Sequence, residues 1–201
     1  MKKQIIFSLM ALGLMTSASY AQVTKGAVLI GGGLNFSSTT SSYEFDGKEV
    51  ENVETKYTDL GLTPKVGYLL TDNIAVGVMV DFSNSKITST FENSEIESTA
   101  NGIAAGPFVR YYTALGIFGE AGVGLGSMTT NGGGEDEKDL KSSLFGWNVG
   151  LGYAAFLNDH ISVEPMIGYG SNSWTTDVDG KDSVEKNAGI NFGVSLGIYL
   201  Q

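Results

Sequence analysis

Beyond residue 22 hydrophobic residues alternate with small or polar ones almost everywhere, and no stretch carries the i, i+3, i+4, i+7 stripe of an amphipathic helix. A period of two is the signature of a strand with one greasy face, so the pattern predicts an all-β chain. The last segment is the plainest. Ala188, Ile190, Phe192, Val194, Leu196, Ile198 and Leu200 fall on one face, and Asn191, Gly193, Ser195, Gly197, Tyr199 and Gln201 on the other.

The same rule finds seven earlier strands. They are centred on Val28 to Phe36, Leu60 to Tyr68, Ile74 to Phe82, Ile103 to Tyr111, Ala121 to Leu125, Phe145 to Tyr153 and Ile161 to Tyr169. Their connections alternate in length. Leu70 to Asn73, Thr113 to Gly116 and Leu157 to His160 read as tight turns, whereas residues 37 to 57, 83 to 99, 127 to 143 and 171 to 187 are long and polar. Short turns at one end and four long loops at the other are the asymmetry of an eight-stranded antiparallel barrel that crosses an outer membrane, with short periplasmic turns and long external loops. About 10 residues per tilted strand suffice to cross.

In hydrocarbon every backbone polar group must be paired internally, so only a closed sheet survives there and its greasy face points outward. Tyr68, Tyr111, Trp147, Tyr153 and Tyr169 then lie outside as an aromatic girdle. Lys65, Asp81, Arg110, Glu120 and Glu164 point into the lumen by parity. Four of them, Lys65, Arg110, Glu120 and Glu164, lie at similar distances from their short turns and share a layer. Arg110 and Glu120 are equidistant from Leu115, so they face each other on adjacent strands. A lumen charge network is expected, with Asp81 as an outer member. It either fills and rigidifies a narrow barrel or gates ions.

Composition narrows the function. The chain has 201 residues, 28 of them Gly, with no Cys, and a formal charge of −10. Glycine at about 14% is twice the usual share and suits the inside of a narrow barrel. The absence of cysteine excludes a disulfide scaffold, a thiolate zinc site and a cysteine nucleophile. The acidic balance excludes nucleic acid as a partner. Lys2 and Lys3, the apolar run from Ile5 to Met15 and Ser19-Tyr20-Ala21 read as a signal peptide over residues 1 to 21, cut before Gln22. An uncleaved anchor is the alternative, but the run is shorter than the about 20 residues of a spanning helix. Residues 22 to 201 are the barrel domain, 180 residues with a formal charge of −12 once Lys2 and Lys3 are removed.

Candidate chemistry is sparse. His160, the one histidine, falls in a predicted turn, with no second histidine to support acid–base or nucleophilic work. Asp177 to Asp182 resembles a calcium loop but lacks the third Asp and the closing Glu, so it reads first as a turn. Glu135 to Asp139, after Gly132-Gly133-Gly134, is a charge run on a loop tip. No catalytic, cofactor or metal residues are assigned, and no enzyme activity is expected.

Leu62-Thr63-Pro64-Lys65-Val66-Gly67-Tyr68, Thr71 to Gly77, Gly106-Pro107-Phe108-Val109-Arg110-Tyr111-Tyr112, Phe118-Gly119-Glu120, Glu164-Pro165 and Gly193 to Tyr199 together resemble the outer membrane protein β-barrel domain family, relatives of OmpA-type and OmpX-type barrels. The resemblance covers residues 22 to 201. It implies a bacterial outer-membrane location, lipid and the barrel-assembly machinery as partners, and a monomer. Gln201 departs from the terminal aromatic of many such barrels, leaving the Leu196, Ile198, Leu200 alternation to carry the assembly signal. The leading expectation is a non-enzymatic barrel with an envelope or adhesion-like role through acidic loops, whose surface ligand is unknown. The alternatives are a pore or conduit for ions or apolar molecules, and a soluble lipocalin-like barrel that binds a ligand in an apolar lumen.

Overall fold

A computed structural model describes residues 23–45, 48–91, 94–132, 139–178 and 180–201. The signal-peptide reading, residues 135–138 of the charge run and Asp179 lie outside the described residues. The strands are β1 (Val28–Phe45), β2 (Lys48–Leu69), β3 (Ile74–Phe91), β4 (Ser94–Tyr112), β5 (Ile117–Asn131), β6 (Leu140–Tyr153), β7 (Ala155–Phe156), β8 (Ile161–Val178) and β9 (Lys181–Leu200). Each long strand pairs antiparallel with the next, β6 pairs with β8, and β9 returns to β1, which closes a ring of eight. β7 is a two-residue addition against Val163 and Ser162.

The register measures the stagger of that ring. From Leu200 the ladder passes through Val28, Tyr68, Val76, Val109, Ala121, Val149 and Tyr169 and comes back to β9 at Ile190, ten residues from its start. For eight strands this offset corresponds to a tilt of about 40° and an interior just wide enough for side chains. Every member of the circuit points outward. The belt they belong to is fully displayed, with Phe192 77%, Leu125 69% and Phe36 68% exposed. A continuous apolar belt of this size is unfavourable against water and favourable against lipid. Each outward row turns polar at its upper limit, at Ser38, Thr58, Asn84, Asn101, Ser127, Ser143, Ser171 and Lys186. These residues mark the outer edge of the apolar belt.

Above that edge the structure differs from the sequence reading. The described residues of 37 to 57, 83 to 99 and 171 to 187 are not loops but continuations of the same ladders, paired up to Phe45↔Lys48, Phe91↔Ser94 and Val178↔Lys181. Between β5 and β6 the described ladder likewise runs on through Ser127↔Ser143 to Thr130↔Leu140. Backbone pairing needs no apolar face, so polar residues on both faces extend the hairpins beyond the belt.

The lower turns are fixed by side chains. Thr71 Oγ1 accepts hydrogen bonds from the backbone N–H of Asn73 at 3.2 Å and Ile74 at 3.0 Å, and Asn158 Oδ1 does the same for His160 and Ile161, both at 2.9 Å. Gly116, at φ 79°, supplies the left-handed residue of the β4–β5 turn.

Candidate functional site: a sealed lower lumen beneath an open vestibule

The lower half of the lumen is filled by two layers. Nearest the short turns lie Leu29, Leu69, Phe118, Phe156, Tyr112 and Tyr199, all buried. Glycines opposite the aromatics make room for them: a Cβ on Gly152 would collide with the Phe118 ring, and one on Gly77 with Phe108 and the backbone of β2.

Directly above sits a charged layer. Arg110 is 1% exposed, Glu164 2%, Glu120 4% and Lys65 7%. Arg110 and Glu120 are register partners on β4 and β5. Arg110 Nε donates to Glu120 Oε2 at 2.7 Å, and its Nη1 donates to Glu164 Oε2 at 2.6 Å across the lumen. Lys65 Nζ donates to the other oxygen of Glu120 at 2.6 Å. Two cations thus meet two anions, and the remaining lone pairs are used as well. Glu164 Oε1 accepts from Ser162 Oγ at 2.8 Å and from Tyr199 Oη at 2.7 Å, and Tyr199 Oη lies 2.8 Å from Tyr112 Oη. The Arg110 guanidinium lies 3.9 Å from the Phe118 ring centroid, which joins the charged layer to the aromatic one. Buried charges survive only when paired and hydrogen-bonded in this way.

Asp81 is not part of the network. It lies higher, where its carboxylate accepts from Thr63 Oγ1 at 2.6 Å. Tyr112, Tyr199, Ser162 and Phe118 are partners that the sequence reading did not single out. Parity alone put Tyr199 on the inner face, but not at the height of Glu164. Among the outward aromatics, Tyr68, Tyr111, Trp147 and Tyr169 are exposed and Tyr153 is half-buried. Trp147 and Tyr169 pack with ring centroids 5.9 Å apart. His160 clasps the end of β9, its Nδ1 3.0 Å from the Tyr199 carbonyl oxygen. Asp177 Oδ1 accepts from the backbone N–H of Gly180, a turn arrangement, and among the described residues no group of three or more His, Asp or Glu is placed to hold a metal.

Above the charged layer the lumen opens into a vestibule, with cavities of about 480 and 370 Å³ that share Asn35, Thr63, Asp81, Asn148 and Asn172. Its wall is incomplete. β1 and β9 pair only from Val28↔Leu200 to Gly33↔Ser195. Beyond that point Leu34 to Ser41 of β1 and Lys181 to Val194 of β9 are exposed on both faces. The larger cavity reaches the lipid-facing residues Leu34, Phe192 and Val194 through this opening. The same three residues border an apolar groove of about 910 Å³ on the outer wall, which runs over Leu151, Pro165 and Ile167.

Comparison with known proteins places this architecture. The model of the outer membrane protein beta-barrel domain family matches residues 7–197. Among solved structures the chain is similar to OprG from Pseudomonas aeruginosa (16% identity, 90% of this chain and 99% of that one, TM-score 0.43). It is also similar to Neisserial surface protein A (17% identity, 87% and 99%, TM-score 0.48) and to Ail, the attachment invasion locus protein of Yersinia pestis (14% identity, 88% and 100%, TM-score 0.41). None of the curated protein sequences compared with it matches this chain.

Proposed function

Because this chain belongs to the outer membrane protein β-barrel domain family and lies in the bacterial outer membrane, we propose that it is a non-enzymatic envelope barrel that works at the cell surface through its acidic outer hairpins. The carrying observation is the continuation of the ladders past the apolar belt to Phe45↔Lys48, Phe91↔Ser94 and Val178↔Lys181. Paired backbone holds a polar surface in a defined shape well outside the membrane, which favours recognition over a purely entropic fringe. The sealed lower lumen supports the same reading, because it leaves no polar path to the periplasm. Lipid and the barrel-assembly machinery are its partners, and the monomer is the working unit.

The test replaces residues 39–56 and 86–97 by short turns and expresses both forms in a Gram-negative host. Retained heat-modifiable folding with lost adhesion to matrix-coated surfaces supports the proposal. Unchanged adhesion, with both forms equally folded, contradicts it.

The opening between β1 and β9 favours a second reading, a lateral conduit between the vestibule and the outer leaflet. Continuous pairing ends at Gly33↔Ser195 while the outward rows remain apolar up to Phe36 on β1 and Ala188 on β9, so the gap lies at the depth of hydrocarbon. Spin labels at Thr39 and Gly189 would report it: a broad, long distance distribution in lipid supports an opening, and a short, narrow one excludes it.

A further inference from the structure

Four asparagines in the vestibule share one local arrangement. Asn35 stands directly opposite Gly61, Asn148 opposite Gly122, Asn172 opposite Gly146 and Asn191 opposite Gly168. In all four the amide oxygen lies within 3 Å of where a Cβ on the facing glycine would stand, so each amide rests over its neighbour's bare backbone. All four line the larger cavity. None makes a hydrogen bond to another group of the protein among the described residues. The buried indole N–H of Trp174, at the edge of the adjoining cavity with Asn148 and Asn172, also has no partner. Donors and acceptors in balance, held open by glycine and aimed into a cavity, form a site for a group that both donates and accepts.

Charge narrows the ligand. Among the described residues that line this cavity the one cation, Lys65, is paired with Glu120, and the Asp81 carboxylate accepts only from Thr63, so an anionic head is excluded and a head that donates a hydrogen bond is favoured. The opening narrows it further. The cavity that holds the amides is completed by Leu34, Phe192 and Val194, which belong to the lipid-facing rows, and the sealed lower lumen forces any occupant in and out by the side or the top. We infer that the vestibule binds a single-chain amphiphile with an uncharged hydroxyl or amide head. The head is held by Asn35, Asn148, Asn172 and Asn191, and the tail leaves between β1 and β9. The inference rests on the lateral-conduit reading and adds the ligand class and the binding residues.

The experiment follows the side-chain amide NMR signals of the asparagines in the full barrel domain, reconstituted in lipid nanodiscs, during titration with decanol, decane, decanoate and decylammonium. Decanol is expected to shift the four amides at an apparent affinity about tenfold or more above the others, because a site built to hydrogen-bond a head rejects one that cannot match it. Asn172→Leu with Asn191→Leu abolishes the shifts at the remaining two amides while heat-modifiability shows the barrel intact. Equal shifts with decane, or tighter binding of decanoate or decylammonium, overturn the inference, as does the absence of any shift. Continued pairing would place Thr39 opposite Gly189. Thr39→Cys with Gly189→Cys therefore locks the opening in a chain with no other cysteine. Loss of decanol binding on oxidation, and its return on reduction, supports exit of the tail through the wall. Binding that survives the lock overturns the lateral route and leaves the amide site standing, which separates the two claims.

Discussion

Arg110 and Glu120 face each other as register partners on β4 and β5, joined from Nε to Oε2 at 2.7 Å with both side chains shut away from solvent. Among the described residues Glu120 is also the ion-pair partner of Lys65, and Glu164 takes its cation from Arg110. The pair therefore ties β2, β4, β5 and β8 across the lumen, and its loss would strand more than one charge.

Glu120→Gln leaves Lys65 and Arg110 with an incompletely neutralised partner. It is expected to lower stability by about 3 kcal/mol, the scale of breaking a buried ion pair from one side. Urea unfolding in micelles, followed by tryptophan fluorescence, measures it. Glu120→Leu combined with Lys65→Met removes one charge of each sign and should recover part of the loss.

Gly77→Val places a branched side chain against the Val66 carbonyl oxygen, the Gly67 backbone and the Phe108 ring. Backbone on β2 cannot step aside, so the folded fraction on refolding into detergent should fall sharply, with a destabilisation of about 3 kcal/mol or more. Gly189→Ala, where a Cβ meets nothing within 4 Å, is the control and should refold like the parent.

His160→Ala removes the ring contact to the Tyr199 carbonyl but keeps the backbone bond from Tyr199 N–H to the His160 carbonyl at 2.7 Å. The expected loss is about 1 kcal/mol, one ordinary hydrogen bond. Thermal unfolding on unboiled gels would resolve it.

Hydrogen exchange distinguishes hairpins from loops. Amides of Thr39 to Ser41 and Thr55 to Tyr57, register partners beyond the apolar belt, should exchange far more slowly than those of Ala114 and Leu115 in the β4–β5 turn. Uniformly fast exchange above Ser38 would refute the extended ladder.

Much of this was legible because a period of two is a physical consequence of the pleat. Parity put Lys65, Arg110, Glu120 and Glu164 on one face, and distance from the Leu115 turn paired Arg110 with Glu120. Height was harder to read. Asp81 has the same parity, but it lies two residues above Met79, the register partner of Lys65, and bonds Thr63 instead, while Tyr199 sits four residues below Ser195, the register partner of Glu164, and reaches up to that carboxylate through its long side chain. The extended hairpins left no mark because backbone pairing above the belt needs no apolar alternation, and polar contacts such as Asn84 with Asn101 and Lys86 with Glu97 carry no period of two. The opening left none either: Leu34, Phe36, Phe192 and Val194 alternate as regularly as any paired residues, and a missing ladder changes no side chain.

Ionic conductance in a planar bilayer tests the sealed lumen most directly. With Arg110, Glu120, Glu164 and Lys65 closed over the aromatic layer, the account predicts no stable current steps from the folded barrel domain, and their appearance when Arg110, Glu120, Glu164 and Tyr199 are all replaced by Ser. Steady ohmic steps from the unaltered barrel domain would contradict it.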